Sequence, residues 1–484
     1  MDNKPSIKKN YLYSLFYQIL TMVTPFVTAP YVARVLGADG IGIYSYAQAY
    51  MTYFSMMAAL GTGSYGAREI ARCRENKREY SKKFWEIELL SVFTTSLSLT
   101  AWIVLVLLSA KYRIYFIALI PTLIATMLDI SWFYAGHEKF GYTVFWNSLC
   151  KIAGVISIFT FVKDKNDLTI YIFLYSFISM LGNGSMWIFL PKMLVKVDPR
   201  QLRFKHHLQE TLVYFVPTIS TTIYTVLDKT LIGAITQDNY QNGYYEQATK
   251  IINMAKSAVF VSVNTVMSTR ISYLFSQDKK DEIKAKISKS INFILFLGVA
   301  VAFGIIAVAK DFVPVFFGDG YEPVINLLYW MSPLILIIGV SNCLGSQYYT
   351  PAGLRAQSSK YIITGSVVNL IMNLILIPKF KATGAVIGSI VAELTITILY
   401  FKNCSGYITT KQIFNYSYRR LLAGVIMILT VKLIGTCNKI PGILLLICEV
   451  IGGTTIYFTS LYLMRDTMLE EIVLLIKKKA KNNG

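Results

Sequence analysis

The chain is short of charge and nearly without histidine. Charged residues make up 15% of it and His occurs three times in 484 residues, whereas an ordinary soluble domain is about one quarter charged. A soluble domain cannot be covered with so little polar surface. The three histidines, His137 and the pair His206-His207, sit among basic residues in short turns, so imidazole catalysis has few candidates. The six cysteines (Cys73, Cys150, Cys343, Cys404, Cys437, Cys448) are scattered, with no C-x-x-C, which removes the usual signs of a zinc site or a disulfide framework. They read as small apolar residues, and no metal or cofactor is expected. No G-x-x-x-x-G-K-[ST] phosphate loop occurs, so nothing marks the chain as an ATPase.

Long apolar runs are what the chain has instead. Hydrophobic residues reach 54% and the mean hydropathy is +0.49. A bilayer core needs about 20 mostly apolar residues per helix. Fourteen segments qualify, near 10–35, 41–66, 84–109, 114–135, 143–162, 170–190, 211–235, 243–269, 291–309, 323–347, 361–378, 383–401, 420–436 and 441–463. The first is too long for a cleaved leader and lacks a small-residue cleavage site. The expected fold class is therefore an all-α integral membrane protein of about 14 transmembrane helices.

Basic residues set the orientation. With the N-terminus inside, the inner segments hold 33 Lys and Arg, the outer ones 8 and the spans 6. This asymmetry predicts that both termini are cytoplasmic, because positive loops stay inside. It also accounts for the excess of 47 Lys+Arg over 27 Asp+Glu without a nucleic-acid partner. The tail "DTMLEEIVLLIKKKAKNNG" alternates apolar and charged groups at helical spacing and reads as a basic amphipathic helix on the inner membrane surface.

A short phrase occurs twice. "GIYSYA" begins at Gly42 and "GYYEQA" at Gly243, each Gly-x-Tyr-x-x-Ala, preceded by Leu36-Gly37 and Ile232-Gly233 respectively. Both copies cross from an odd span into an even one at the outer side, six spans apart. That offset predicts two parallel six-helix repeats, an arrangement that places a transport site between halves. The glycines are expected to allow a tight turn and close helix packing. The domain plan is an N-terminal lobe over 1–190 (helices 1–6), a basic cytoplasmic linker over 191–210 and a C-terminal lobe over 211–401 (helices 7–12). Two additional helices follow in 402–463, then the tail in 464–484.

The opening "SLFYQILTMVTPFVTAPYVARVLGADGIGIYSYAQAYMTYF", the junction "DISWFYAGHEKF" and "LDKTLIGAITQDNYQNGYYEQATKI" resemble the polysaccharide and O-antigen repeat-unit flippases. Those form the polysaccharide transporter family of the multidrug/oligosaccharidyl-lipid/polysaccharide exporter superfamily. The resemblance covers most of the chain diffusely. It implies two six-helix lobes forming a V around a cationic cavity. The implied substrate is an undecaprenyl-pyrophosphate-linked oligosaccharide, turned from the inner to the outer leaflet of a bacterial plasma membrane for capsule or other surface polysaccharide. A polymerase and a chain-length regulator are the implied neighbours. Members often have twelve spans; the extra pair here is similar to that of the lipid II flippases.

Charges inside spans carry the site expectation, since each costs at least about 2.5–3.5 kcal/mol at mid-bilayer and therefore faces a cavity or a partner. Lys256 lies deepest. With Lys250, Arg34 and Lys151 it is expected to form a cationic substrate site, lysine suiting phosphate as a compact point charge. Snorkelling of Arg34 to the surface and structural ion pairs between lobes are the bland alternatives. Asp228 and Lys250 lie at similar depth and are expected to pair, Glu246 shares a helix face with Lys250, and Lys229 points about 100° away from Asp228. Asp129, Glu393 and Glu449 are the other candidate pairing or ion-coupling carboxylates. Glu86 and Glu88, beside Lys82 and Lys83, read as interfacial. Two rival functions remain: a multidrug antiporter of the same superfamily, which would favour an acidic cavity, and a membrane polymerase or glycosyltransferase. The second lacks a D-x-D motif, and its longest outer loop, Lys310 to Glu322, is about 13 residues.

Overall fold

The computed structural model describes residues 7–436 and 442–482, which leaves Cys437 and Lys439 outside the described residues. Every element among them is helical. The chain divides into two compact units, Met1–Gly243 and Tyr244–Gly484.

The first unit holds α1 (Ile7–Ala59), α2 (Thr62–Cys73), α3 (Lys77–Leu108), α4 (Arg113–Ala118), α5 (Ile120–Met127), α6 (Ser131–Gly136), α7 (Phe140–Phe161), α8 (Leu168–Ser185), α9 (Leu190–Met193) and α10 (Phe204–Thr236). Its core gathers Val32, Tyr44, Met51, Trp102, Phe116 and Ile172. A second cluster at α2, α3 and α6 is aromatic, built on Phe84, Trp132 and Phe133. α11 (Asn239–Lys256) begins in the first unit and runs into the second. There follow α12 (Ser262–Ser276), α13 (Lys280–Phe317), α14 (Glu322–Met331), α15 (Pro333–Leu344), α16 (Arg355–Lys402), α17 (Thr410–Ile434), α18 (Gly442–Leu463) and α19 (Thr467–Asn482).

Helix occurs at each of the fourteen expected segments. Nine helices among the described residues are long and apolar enough to cross a membrane. Two of these contain two expected spans each. α1 turns at Gly37, whose φ of 68° suits glycine and few other residues; Pro25 and Pro30 lie within continuous helix. α16 turns at Lys381, with φ 51°. Large apolar side chains such as Leu97, Leu107, Phe145 and Leu433 stand exposed, as helices solvated by lipid require and a water-facing surface does not tolerate. The chain is a multi-pass membrane protein.

Three local departures matter for the site. The expected fourth span is broken into α4, α5 and α6. Asp129 sits in the second break, where its Oδ1 accepts the Ser131 backbone N–H at 2.9 Å, a local bond that competes with the helical one. The eighth span passes through a π turn at Ser257–Val261, directly after Lys256. A second π turn, Gly345–Tyr349, closes α15. Such turns recur at functional sites because they re-aim side chains.

Candidate functional site

The repeated phrase is built into the first unit. A β-carbon on Gly42 would land on the Asn239 carbonyl and 3.0 Å from the Gly243 nitrogen, and one on Gly243 would strike the Ala38 carbonyl. The two copies thus touch through their glycines, backbone against backbone. Around them Asn239 Nδ2 donates to Asp39 Oδ1 (3.1 Å) and Tyr112 Oη to Asn239 Oδ1 (3.0 Å). Gly233 leaves room for the Tyr46 ring. The turn role and the packing role therefore fall on different glycines, Gly37 for the first and Gly42, Gly233 and Gly243 for the second.

Of the expected cations in this unit, Arg34 is exposed on α1. Lys151 of α7 is half-buried; its Nζ donates to Thr21 Oγ1 at 3.1 Å and lies 5.2 Å from the Tyr17 ring centre. Tyr17 and Thr21 stand one helical turn apart on α1. Asp129 and Tyr175 lie within electrostatic reach of Tyr17, so Lys151 and Asp129 border one polar neighbourhood. Asp228 on α10 is buried and within electrostatic reach of Tyr53, whose hydroxyl accepts from Thr230 Oγ1 at 3.3 Å. The Lys229 carbonyl accepts from Asn242 Nδ2 at 2.9 Å.

Glu86 and Glu88 differ from the interfacial expectation, because both are buried. Glu86 accepts from the Arg203 backbone N–H at 2.8 Å and is hydrogen-bonded to His207 Nε2 at 3.1 Å, while His207 Nδ1 meets Tyr65 Oη at 2.6 Å. This chain fastens the start of α10 to α2 and α3. Glu88 is 2% exposed, and neither of its carboxylate oxygens has a hydrogen-bond partner among the described residues. In the sequence both read as interfacial because Lys82 and Lys83 stand beside them.

In the second unit, Glu246 and Lys250 pair along α11 at 3.6 Å. Lys256 is half-buried at the end of α11 and feels the charge of Glu393 on α16, a carboxylate 6% exposed. Around the turn of α16, Asn373 Nδ2 donates to Asn369 Oδ1 (3.1 Å) and Asn369 Nδ2 reaches Ser389 Oγ (3.5 Å). Gly388 makes room for Asn373 Oδ1, which would lie 2.6 Å from a β-carbon there. Another amide chain runs from Gln347 to Asn264 to Asn342 at 2.8 and 2.7 Å. Buried amides and charges of this density are uncommon in spanning helices and mark functional ones. No group of three His, Cys, Asp or Glu side chains able to hold a metal occurs among the described residues.

Residues 7–275, more than half of the chain, match the model of a family described as polysaccharide biosynthesis protein. The chain belongs to that family. It is 24% identical over 402 residues to the "Putative O-antigen transporter" of Escherichia coli, covering 82% of this chain and 96% of that one. A "Probable low-salt glycan biosynthesis flippase" of Haloferax volcanii is 24% identical over 270 residues, 54% of this chain and 55% of its own. Among solved structures, the lipid II flippase MurJ in an inward closed conformation superimposes with a TM-score of 0.74 at 17% identity, covering 95% of this chain and 99% of that one. A MATE transporter structure follows at 0.55 and 14%, covering 89% and 97%. At these identities the structural likeness concerns the fold, and it places this family member in the MurJ and MATE architecture.

Proposed function

We propose that this protein is a flippase that moves undecaprenyl-pyrophosphate-linked oligosaccharide units from the inner to the outer leaflet of the plasma membrane by alternating access, supplying a surface polysaccharide. The observation that carries this reading is the joint one. The family is one of polysaccharide biosynthesis, relatives covering most of its length are named for O-antigen transport, and the fold over 95% of the chain is that of a lipid-linked-substrate flippase. A drug antiporter is the weaker reading, since the sequence relatives are named for O-antigen transport or as a glycan flippase and the MATE fold fits less closely.

In this reading the two six-helix lobes rock about a central site, with both termini cytoplasmic, a placement that the charge asymmetry supports. Arg34, Lys151, Lys250 and Lys256 supply positive charge to the pyrophosphate or to acidic sugars, and Asp129, Asp228, Lys229, Glu246 and Glu393 hold or exchange ions around it. A polysaccharide polymerase and chain-length regulator receive the product. The test is transfer of a radiolabelled lipid-linked oligosaccharide between leaflets of proteoliposomes holding the purified protein. Leaflet transfer without polymer is expected. Polymer formation, or no transfer above empty liposomes, sinks the reading.

A further inference from the structure

We propose that Glu88 is a proton-binding site inside the first unit, exchanging its proton through Asp129. Glu88 is at least nine-tenths buried on α3 and both of its oxygens lack a hydrogen-bond partner among the described residues. Nearby lysines are engaged elsewhere. Lys82 Nζ lies 3.9 Å from Glu86, Lys83 lies 2.9 Å from Glu69 and 3.8 Å from Glu79, and Lys151 is held by Thr21 and Tyr17. The charged group within electrostatic reach of Glu88 is another carboxylate, Asp129. Four titratable groups on the helices packed against α3 have partners of their own. Tyr17 of α1 reaches Asp129, Glu69 of α2 is bound by Lys83, and His207 of α10 is bound by Glu86, with Glu210 of α10 within reach of Tyr65.

An ionised carboxylate in apolar surroundings, without a donor or a cation and opposite a second carboxylate, is the arrangement that physics removes by adding one proton. A metal ion is the less fitting ligand. Calcium takes about six to eight oxygens, whereas among the described residues this place offers two carboxylates and no third acidic or imidazole ligand. Asp129 suits the role of exchanger. It is half-buried, lies in the irregular stretch between α5 and α6, and its Oδ1 accepts the Ser131 backbone N–H. The break in the helix thus holds a partly wetted carboxylate within electrostatic reach of a dry one. Holding a proton does not depend on what is transported; only its use to drive transport rests on the flippase reading.

The test is infrared difference spectroscopy of the full chain in lipid nanodiscs, titrated across the neutral range in choline and in sodium buffers. A protonated-carboxyl band is expected in both buffers, absent in the isosteric Glu88→Gln and shifted in Asp129→Asn. No such band in the wild type, its persistence in Glu88→Gln, or its loss in sodium alone would each overturn the assignment. If Glu88→Gln cannot be recovered folded, Asp129→Asn decides, because an unmoved band there means that the two carboxylates do not share a site. Failure of leaflet transfer would leave these spectra unaffected, so the two proposals fail separately.

Discussion

Gly42 and Gly243 meet backbone to backbone: a β-carbon added to Gly42 would lie 3.0 Å from the Gly243 nitrogen and closer still to the Asn239 carbonyl. Backbone cannot rotate aside as a side chain can, so a single methyl must push two helices apart. Overpacking of this kind costs about 1–3 kcal/mol. Gly42→Ala and Gly243→Ala are each expected to lower the thermal midpoint in detergent. Gly63→Ala, at a position with nothing within 4 Å of the added carbon, should leave it unchanged or raise it. Equal behaviour of the three variants would remove the close approach as the reason the phrase is written twice.

Arg420 anchors three elements of the second unit. It is fully buried, donates to Asp466 through Nε (2.9 Å) and Nη2 (3.2 Å), and reaches the Asn292 carbonyl and Oδ1 at 2.7 Å each. Its guanidinium lies 5.4 Å from the Phe296 ring centre. Asp466 Oδ1 in turn accepts from the backbone of Met468 and Leu469, which begins α19. Removing one partner strands a buried charge, at a cost of about 3–5 kcal/mol. Arg420→Ala is expected to lower the thermal midpoint strongly. Arg420→Lys should restore little of it, since an ammonium cannot fill the planar fork. Full rescue by lysine would mean that charge alone matters there.

His137, in the turn between α6 and α7, gives a pH signature outside the spans. Its Nδ1 bonds the Phe133 carbonyl at 2.9 Å, its Nε2 is buried without a partner among the described residues, and the Tyr80 and Phe133 rings lie 4.7 and 4.5 Å away. Burial first, and then the charges of Lys139 and Arg74, hold this imidazole below its usual range against the opposing pull of the Phe133 carbonyl. The unfolded chain therefore takes up the proton first as pH falls. Stability from this site is complete above about pH 6.5, the unfolded value, and is lost as pH drops from there through the lowered folded value. His137→Phe should flatten the fall of the thermal midpoint over that window. A slope as steep as the wild type's would show that another group titrates.

The helices were readable because lipid leaves the chain little choice: some twenty apolar residues must run together wherever it crosses. Partnerships were less readable. Arg420 counts as one more positive charge at an inner boundary, and hydropathy holds no trace of Asn292 or Asp466, which lie 128 and 46 residues away. Glu88 is hidden in the same manner by Lys82 and Lys83. Asp129 was visible as an intramembrane carboxylate, yet the helix break it occupies was not, since Leu128 and Ile130 keep the stretch apolar. The two glycine phrases were visible as a repeat, but their mutual contact is a matter of three dimensions.

Lys256 offers the sharpest discrimination between a substrate contact and a structural pair. It stands at the end of α11, before the π turn, within electrostatic reach of Glu393. If the ammonium serves a passing pyrophosphate, Lys256→Ala removes a charge-assisted contact worth roughly 1.5–3 kcal/mol, or about tenfold or more in transport, with the thermal midpoint nearly unchanged. If it mainly neutralises Glu393, the variant loses stability, and Lys256→Met combined with Glu393→Gln recovers both stability and transport. The first pattern is expected. Measuring surface glycan export and thermal midpoint together for the single and double variants separates the two, and unchanged export at equal protein level ends the substrate role of Lys256.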